Sequence, residues 1–138
     1  MPAFSKNSLN KLRTCDINLQ VLFNEVVKDY DCTIVFGYRN EIEQNEAFNK
    51  GNSKVQYPMS KHNTVPSLAV DAAPYVNGGV SWNLNQCYHF SGYVLGIWNT
   101  LKREGKVYGT IRGGADWDRD YSVTDETFID CAHFELIH

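Results

Sequence analysis

Leu19, Leu22, Phe23, Val26, Val27 and Tyr30 recur at steps of three and four, an apolar stripe that predicts a helix with Asp16 or Asn18 as its N-cap. Before it lies a polar lead-in. Cys32 to Phe36 is a continuous apolar run rich in β-branched residues, the pattern of a short buried strand, and it brings Arg39 out at its end through Gly37-Tyr38-Arg39. Asn40 with Glu43 three residues on resembles a capping box, and the second helix it opens runs to Asn49 and closes at Gly51. After a loop over 51–59, Leu68 to Ala72 alternates as a half-buried strand. Ala69, Asp71 and Ala73 share one face, Leu68, Val70 and Ala72 the other, and Pro74 is expected to end it. Cys87, Phe90, Val94, Ile97 and Leu101 predict a third helix that stops at Gly105, with Gly92 and Gly96 allowing close packing on a sheet. Thr110 to Arg112 and the segment from His133 to Leu136 complete the strands. About three helices on a small, mainly antiparallel sheet make an α+β domain.

Composition adds limits. The 138 residues are 43% hydrophobic and 21% charged, ordinary for one globular domain spanning 1–138, with no repeat, linker or separate wall-binding domain expected. A net charge of −3 without a run of Lys or Arg argues against nucleic acid and anionic membrane as partners. The segment Met1 to Lys6 lacks the apolar core of a signal peptide, and no window approaches the ~18 apolar residues of a membrane span, so a soluble, monomeric, unexported protein is expected. Cys15, Cys32, Cys87 and Cys131 form no CxxC pair and read as reduced, mostly buried thiols.

The candidate chemistry lies on two strands and one loop. His62 sits on a polar loop with Asn63, Thr64, Pro66 and Ser67, which leads into the strand carrying Asp71 on its face of small residues. At the far end, His133 and Glu135 face one way while Phe134 and Leu136 face the other. Two imidazoles and one carboxylate leave a fourth position open for water, the ligand set of a catalytic zinc site, and Asp130 is then the natural general base. Taken singly, Asp130 also reads as a turn cap and His133 as a hydrogen-bonded strand residue. Cys131 next to the histidine segment gains little as a nucleophile, because adjacent strand positions face apart. His89, between Tyr88 and Phe90, is expected to be a partly buried non-ligand. Asp116, Asp118 and Asp120 match positions 1, 3 and 5 of an EF-hand loop. Tyr121 and Thr127 replace the glycine and glutamate that define it, so calcium is not expected in the loop from Asp116 to Asp125.

Four segments in this order resemble one family. They are Gly37-Tyr38-Arg39 with Glu43-Gln44, Ser60-x-His62 to Ala69-x-Asp71 with Pro74-Tyr75, the loop from Gly113 to Asp118, and Asp130-x-x-His133-Phe134-Glu135-Leu136. The chain is similar over nearly its whole length to the zinc peptidases that include D-alanyl-D-alanine carboxypeptidases and dipeptidases and the L-alanyl-D-glutamate endopeptidases used as phage endolysins, and looks closest to the small endolysins. The resemblance implies zinc on His62, Asp71 and His133, with Asp130 as base. Val65-Pro66-Ser67 lengthens the ligand loop, Ala132 precedes His133 where Trp or Pro is usual, and Ala115 interrupts Gly-Gly-Asp-Trp; these departures bear on the cleft more than on the metal.

Within that mechanism Arg39 is the candidate to stabilise an oxyanion or hold a substrate carboxylate, against a structural salt bridge with Glu43 or Glu46. Ser60 is the candidate to orient substrate or His62, and Glu135 to support the ligands from behind. The expected substrate is the peptidoglycan stem peptide, cut between L-alanine and D-glutamate. A single-domain enzyme without an export signal suits lysis from the host cytoplasm, acting on the wall after release. Removal of terminal D-alanine is the runner-up, and a non-catalytic zinc-stabilised binding module is the rival of another class.

Overall fold

The computed structural model describes residues 2–123 and 130–137. Among these residues four helices, α1 (Lys6–Leu12), α2 (Ile17–Val26), α3 (Glu41–Asn49) and α4 (Leu84–Arg103), accompany five strands, β1 (Cys32–Phe36), β2 (Ala69–Val76), β3 (Gly79–Val80), β4 (Thr110–Gly114) and β5 (Asp130–Ile137). All strand pairs are antiparallel, in the order β1-β2-β5-β4 with β3 against the end of β2. The α+β expectation holds, with one helix more than the apolar spacing predicted.

The period-two alternation sorts the sheet into two faces. Ile34, Val70, Ala72, Phe134 and Leu136 join Leu19, Leu22, Phe23 and Val26 of α2 and Phe90, Val94, Trp98 and Leu101 of α4 in a single core. Phe134 meets Phe23 edge-on at 5.6 Å and Phe90 at 6.3 Å between ring centres. Each fully buried aromatic or aliphatic side chain of this kind contributes roughly 1.5–3 kcal/mol. The odd-numbered neighbours Asp71, His133 and Glu135 are therefore driven to the opposite face, where the chemistry lies.

Asp16 caps α2, its carboxylate accepting from the Asn18 N–H at 2.9 Å. The Asn40 and Glu43 capping box on α3 is present with both hydrogen bonds. The extra helix, α1, has no apolar stripe to announce it. Ser5 caps it, and its Ser8 hydroxyl accepts the Ile34 N–H at 3.1 Å, so the helix covers edge strand β1.

Two expectations fail for reasons of side and face. Pro74 does not end β2, which continues to Val76. The Tyr75 N–H reaches Asp31 on the β1 side, whereas Pro74 turns its carbonyl and its missing N–H the other way, where Ser81 N donates to that carbonyl at 2.8 Å. The ladder to β1 loses nothing. Gly92 and Gly96 are exposed, with open space where a Cβ would stand, because they lie opposite the buried stripe of α4. They do not pack on the sheet, and Trp98 rather than Ile97 fills the buried position.

Candidate metal centre

Antiparallel pairing of β2 with β5 sets Asp71 directly against His133, which puts a carboxylate and an imidazole side by side on the open face of the sheet. His62 arrives on a single 3₁₀ turn, Lys61–Asn63. The Ser60 hydroxyl accepts the His62 N–H at 3.1 Å, the Asn63 side chain returns to the Ser60 N–H at 3.0 Å, and the Arg39 N–H binds the His62 carbonyl at 2.8 Å. The turn is thus tied at both ends, and His62 is 1% exposed.

The outer nitrogen of each histidine is already committed. His62 Nδ1 lies 2.7 Å from the Gly37 carbonyl, an acceptor only, so Nδ1 carries the proton and Nε2 presents its lone pair. His133 Nε2 donates in the same way to Glu135 at 2.7 Å and leaves Nδ1 bare. These two nitrogens and Asp71 Oδ1 form a triangle with sides of 3.2, 3.1 and 3.3 Å. Three donors about 2.0–2.1 Å from a tetrahedral ion stand about 3.3–3.4 Å apart, so the buried trio fits a zinc-sized cation. Without a positive charge among them the three electron-rich atoms would repel. A proton answers that need in the metal-free protein: burial opposes charge on His133, but hydrogen bonds with Asp71 and Glu135 outweigh it and raise the imidazole to about 9. Burial likewise works to raise Asp71, but the electrostatic pull of the His62 side and its hydrogen bond with His133 hold it well below the usual carboxylate range.

The surrounding shell differs in part from expectation. Arg39 is buried and pairs through Nη2 with Asp71 Oδ2 at 2.8 Å, not with Glu43 or Glu46; Glu43 is occupied capping Asn40. Its guanidinium also stacks on Phe36 at 4.4 Å. Glu135 stands behind His133, not in the triangle, and its other oxygen accepts from Arg112 Nη2 at 2.8 Å. Burial tends to raise the Glu135 carboxyl, but the bonds from His133 and Arg112 bring it down to about 2.

Asp130 sits beside the triangle, Oδ2 3.9 Å from His133 Nδ1. Burial first, then the charge of Asp71, pushes its carboxyl up to about 6. Gly114 lets β4 close on it: a Cβ there would lie 2.0 Å from the Asp130 carbonyl. A cleft of about 520 Å³ opens over these groups, lined by Arg39, Ser60, Asp130 and the two histidines and walled by Lys61, Arg112 and Trp117. The Trp117 ring lies 5.3 Å from that of His133.

Other candidates fall away from the centre. Burial raises the Cys131 thiol far from the thiolate range, and the residue is absent from the cleft wall. His89 is exposed rather than partly buried, its Nδ1 2.9 Å from the Tyr30 hydroxyl. Asp116, Asp118 and Asp120 gather their carboxylates, with backbone N–H groups of Asp120 and Tyr121 donating to Asp116; Asp125 and Thr127 lie outside the described residues. Three contributors escaped the sequence. Gly37 carries no chemistry of its own, Lys61 looked like an ordinary loop lysine, and Arg112 faces Glu135 only once the β4–β5 register is known.

A family model described as phage L-alanyl-D-glutamate peptidase matches residues 2–137. The chain is 31% identical over 140 residues to the L-alanyl-D-glutamate peptidase of Escherichia phage T5, a match that covers 97% of each. Among solved structures it superimposes on the Serratia marcescens L-Ala D-Glu endopeptidase ChiX with a TM-score of 0.70 at 20% identity, over 99% of this chain and 91% of that one, a likeness of fold.

Proposed function

Since the chain belongs to the phage L-alanyl-D-glutamate peptidase family, we propose that it hydrolyses the L-alanyl-D-glutamate bond of peptidoglycan stem peptides at a zinc site made by His62, Asp71 and His133. The supporting observation is the triangle of bare donor atoms, whose size and chemistry suit zinc. Zinc held there would supply Lewis acidity to the scissile carbonyl and to the attacking water. Asp130, beside the donors and poised near neutrality, takes the proton from that water and delivers it to the amine leaving with D-glutamate. Arg39, anchored by Asp71 on one side and opening on the cleft on the other, steadies the negative charge that develops on the carbonyl oxygen. The Ser60 hydroxyl accepts from His62 and keeps its own proton to donate to a substrate oxygen.

No helix among the described residues is long and apolar enough to cross a membrane. The proposed action is on the wall, after release from the host cytoplasm. Digestion of purified peptidoglycan with mass analysis of the products tests the bond assignment: new N-terminal glutamate is expected, and free D-alanine as the sole product would make the protein a carboxypeptidase instead.

A further inference from the structure

The cleft is asymmetric in charge. Glu135 is a single buried carboxylate, yet two cations stand at it, Arg112 Nη2 at 2.8 Å and Lys61 Nζ at 3.8 Å. Its remaining oxygen is taken by the His133 N–H, so the two cations share the other. One positive charge therefore remains over on this wall. Both side chains are about one-third exposed, 31% for Lys61 and 33% for Arg112, and both line the cleft beside Trp117.

Their donors are not used up. Lys61 Nζ binds the Leu136 carbonyl, which fixes the ammonium at the rim and leaves N–H groups over. Among the described residues Arg112 spends one terminal nitrogen on Glu135, and its buried Nε has no partner. A half-buried cation that keeps donors over at the wall of a cleft is a prepared site for an anion.

On the other side of the centre a second groove, which shares Arg39 and Asp130 with the first, is walled by Val35, Phe36 and Trp82 and brings no further cation to the centre. A substrate crossing the centre thus meets a cationic wall on one side and an apolar, aromatic one on the other.

Resting on the function proposed above, we infer that Lys61 and Arg112 bind the free carboxylate of the D-glutamate on the leaving side of the scissile bond. Glutamate has two carboxyl groups, and continuing the peptide through its acid end consumes one. The other remains as an anion within a few bonds of the leaving amine. The orientation of the substrate follows: the glutamate side lies along Lys61 and Arg112, the alanine and glycan side along Trp82.

The experiment uses two stem-peptide substrates that differ only in whether this spare carboxyl is a free acid or a primary amide. The zinc-loaded wild type is expected to favour the acid by about tenfold or more in kcat/KM, the scale of a charge-assisted contact, carried mainly by KM. Lys61→Gln should bring the ratio of the two substrates close to one, and Lys61→Arg should retain the preference. Arg112→Gln, whose loss also loosens Glu135, serves as a second variant and should lower the same ratio. Equal rates on the two substrates by the wild type, or an unchanged ratio in both Lys61→Gln and Arg112→Gln, would overturn the inference and leave the peptidase assignment standing. Cleavage of neither substrate alongside release of terminal D-alanine would remove the assignment and the inference with it.

Discussion

Replacing Asp130 by Asn removes a proton acceptor at almost constant volume and separates catalysis from metal binding. Asp130 Oδ2 stands 3.9 Å from His133 Nδ1, outside the triangle whose sides are 3.1–3.3 Å, so the variant should keep its full metal content. Losing the general base costs about 10²- to 10⁴-fold in kcat, roughly 3–5 kcal/mol of transition-state stabilisation. Stability should move the opposite way. A carboxyl raised from 3.8 to about 6 disfavours folding once it ionises, so its contribution is lost as pH rises through about 6. The metal-free variant at pH 7.5 should therefore be more stable than the metal-free wild type, by at most about 3 kcal/mol. A bound cation offsets the repulsion from Asp71 and shrinks that gain. The base works only when deprotonated, so wild-type turnover should fall as pH drops through about 6 or somewhat lower with metal bound, and the residual activity of the variant should lack that limb. The assay is turnover on peptidoglycan from pH 5 to 8, with metal content and thermal melts on the same samples. Turnover within threefold of wild type, with metal retained, would refute the role of Asp130 and make Glu135 the next candidate.

Gly37→Ala would place a Cβ 2.3 Å from Thr14 Oγ1 and 2.4 Å from the Lys11 carbonyl, so the chain must shift. A loss of roughly 1–3 kcal/mol is expected in the melt, with weaker metal binding because the same residue's carbonyl holds His62; an unchanged melting temperature would contradict the packing. Glu135→Gln weakens the hold on His133 and should lower zinc affinity about 10- to 100-fold while the fold persists, measured by chelator competition. Identical affinities would show that Glu135 does not orient the ligand.

What the sequence revealed divides along the range of the forces involved. The alternation of His133 and Glu135 with Phe134 and Leu136 was legible, because period two and burial together leave a strand one choice of face. The caps at Asp16 and Asn40 were legible for the same local reason. Helix α1 was not. Its seven residues carry no apolar period, and it is held by contacts such as Ser8 to Ile34, 26 positions away. For Arg39 the sequence offered a role toward substrate against a salt bridge with Glu43 or Glu46, whereas its partner, Asp71, lies 32 positions on, and charge alone cannot choose between two nearby acids and one distant one. Pro74 was misplaced because a proline ends a strand only where its missing N–H removes a bond the ladder needs, and here the bond toward β1 comes from the Tyr75 N–H instead. The three candidate ligands stand together because strand pairing sets Asp71 against His133 and the tied 3₁₀ turn carries His62 to them.

The central claim is that His62, Asp71 and His133 make one metal site on which activity depends, and metal analysis of the purified protein tests it most directly. About one zinc per chain is expected in the wild type, with little or none in His133→Ala and Asp71→Ala that remain folded by circular dichroism; full zinc retention in both variants would contradict the assignment.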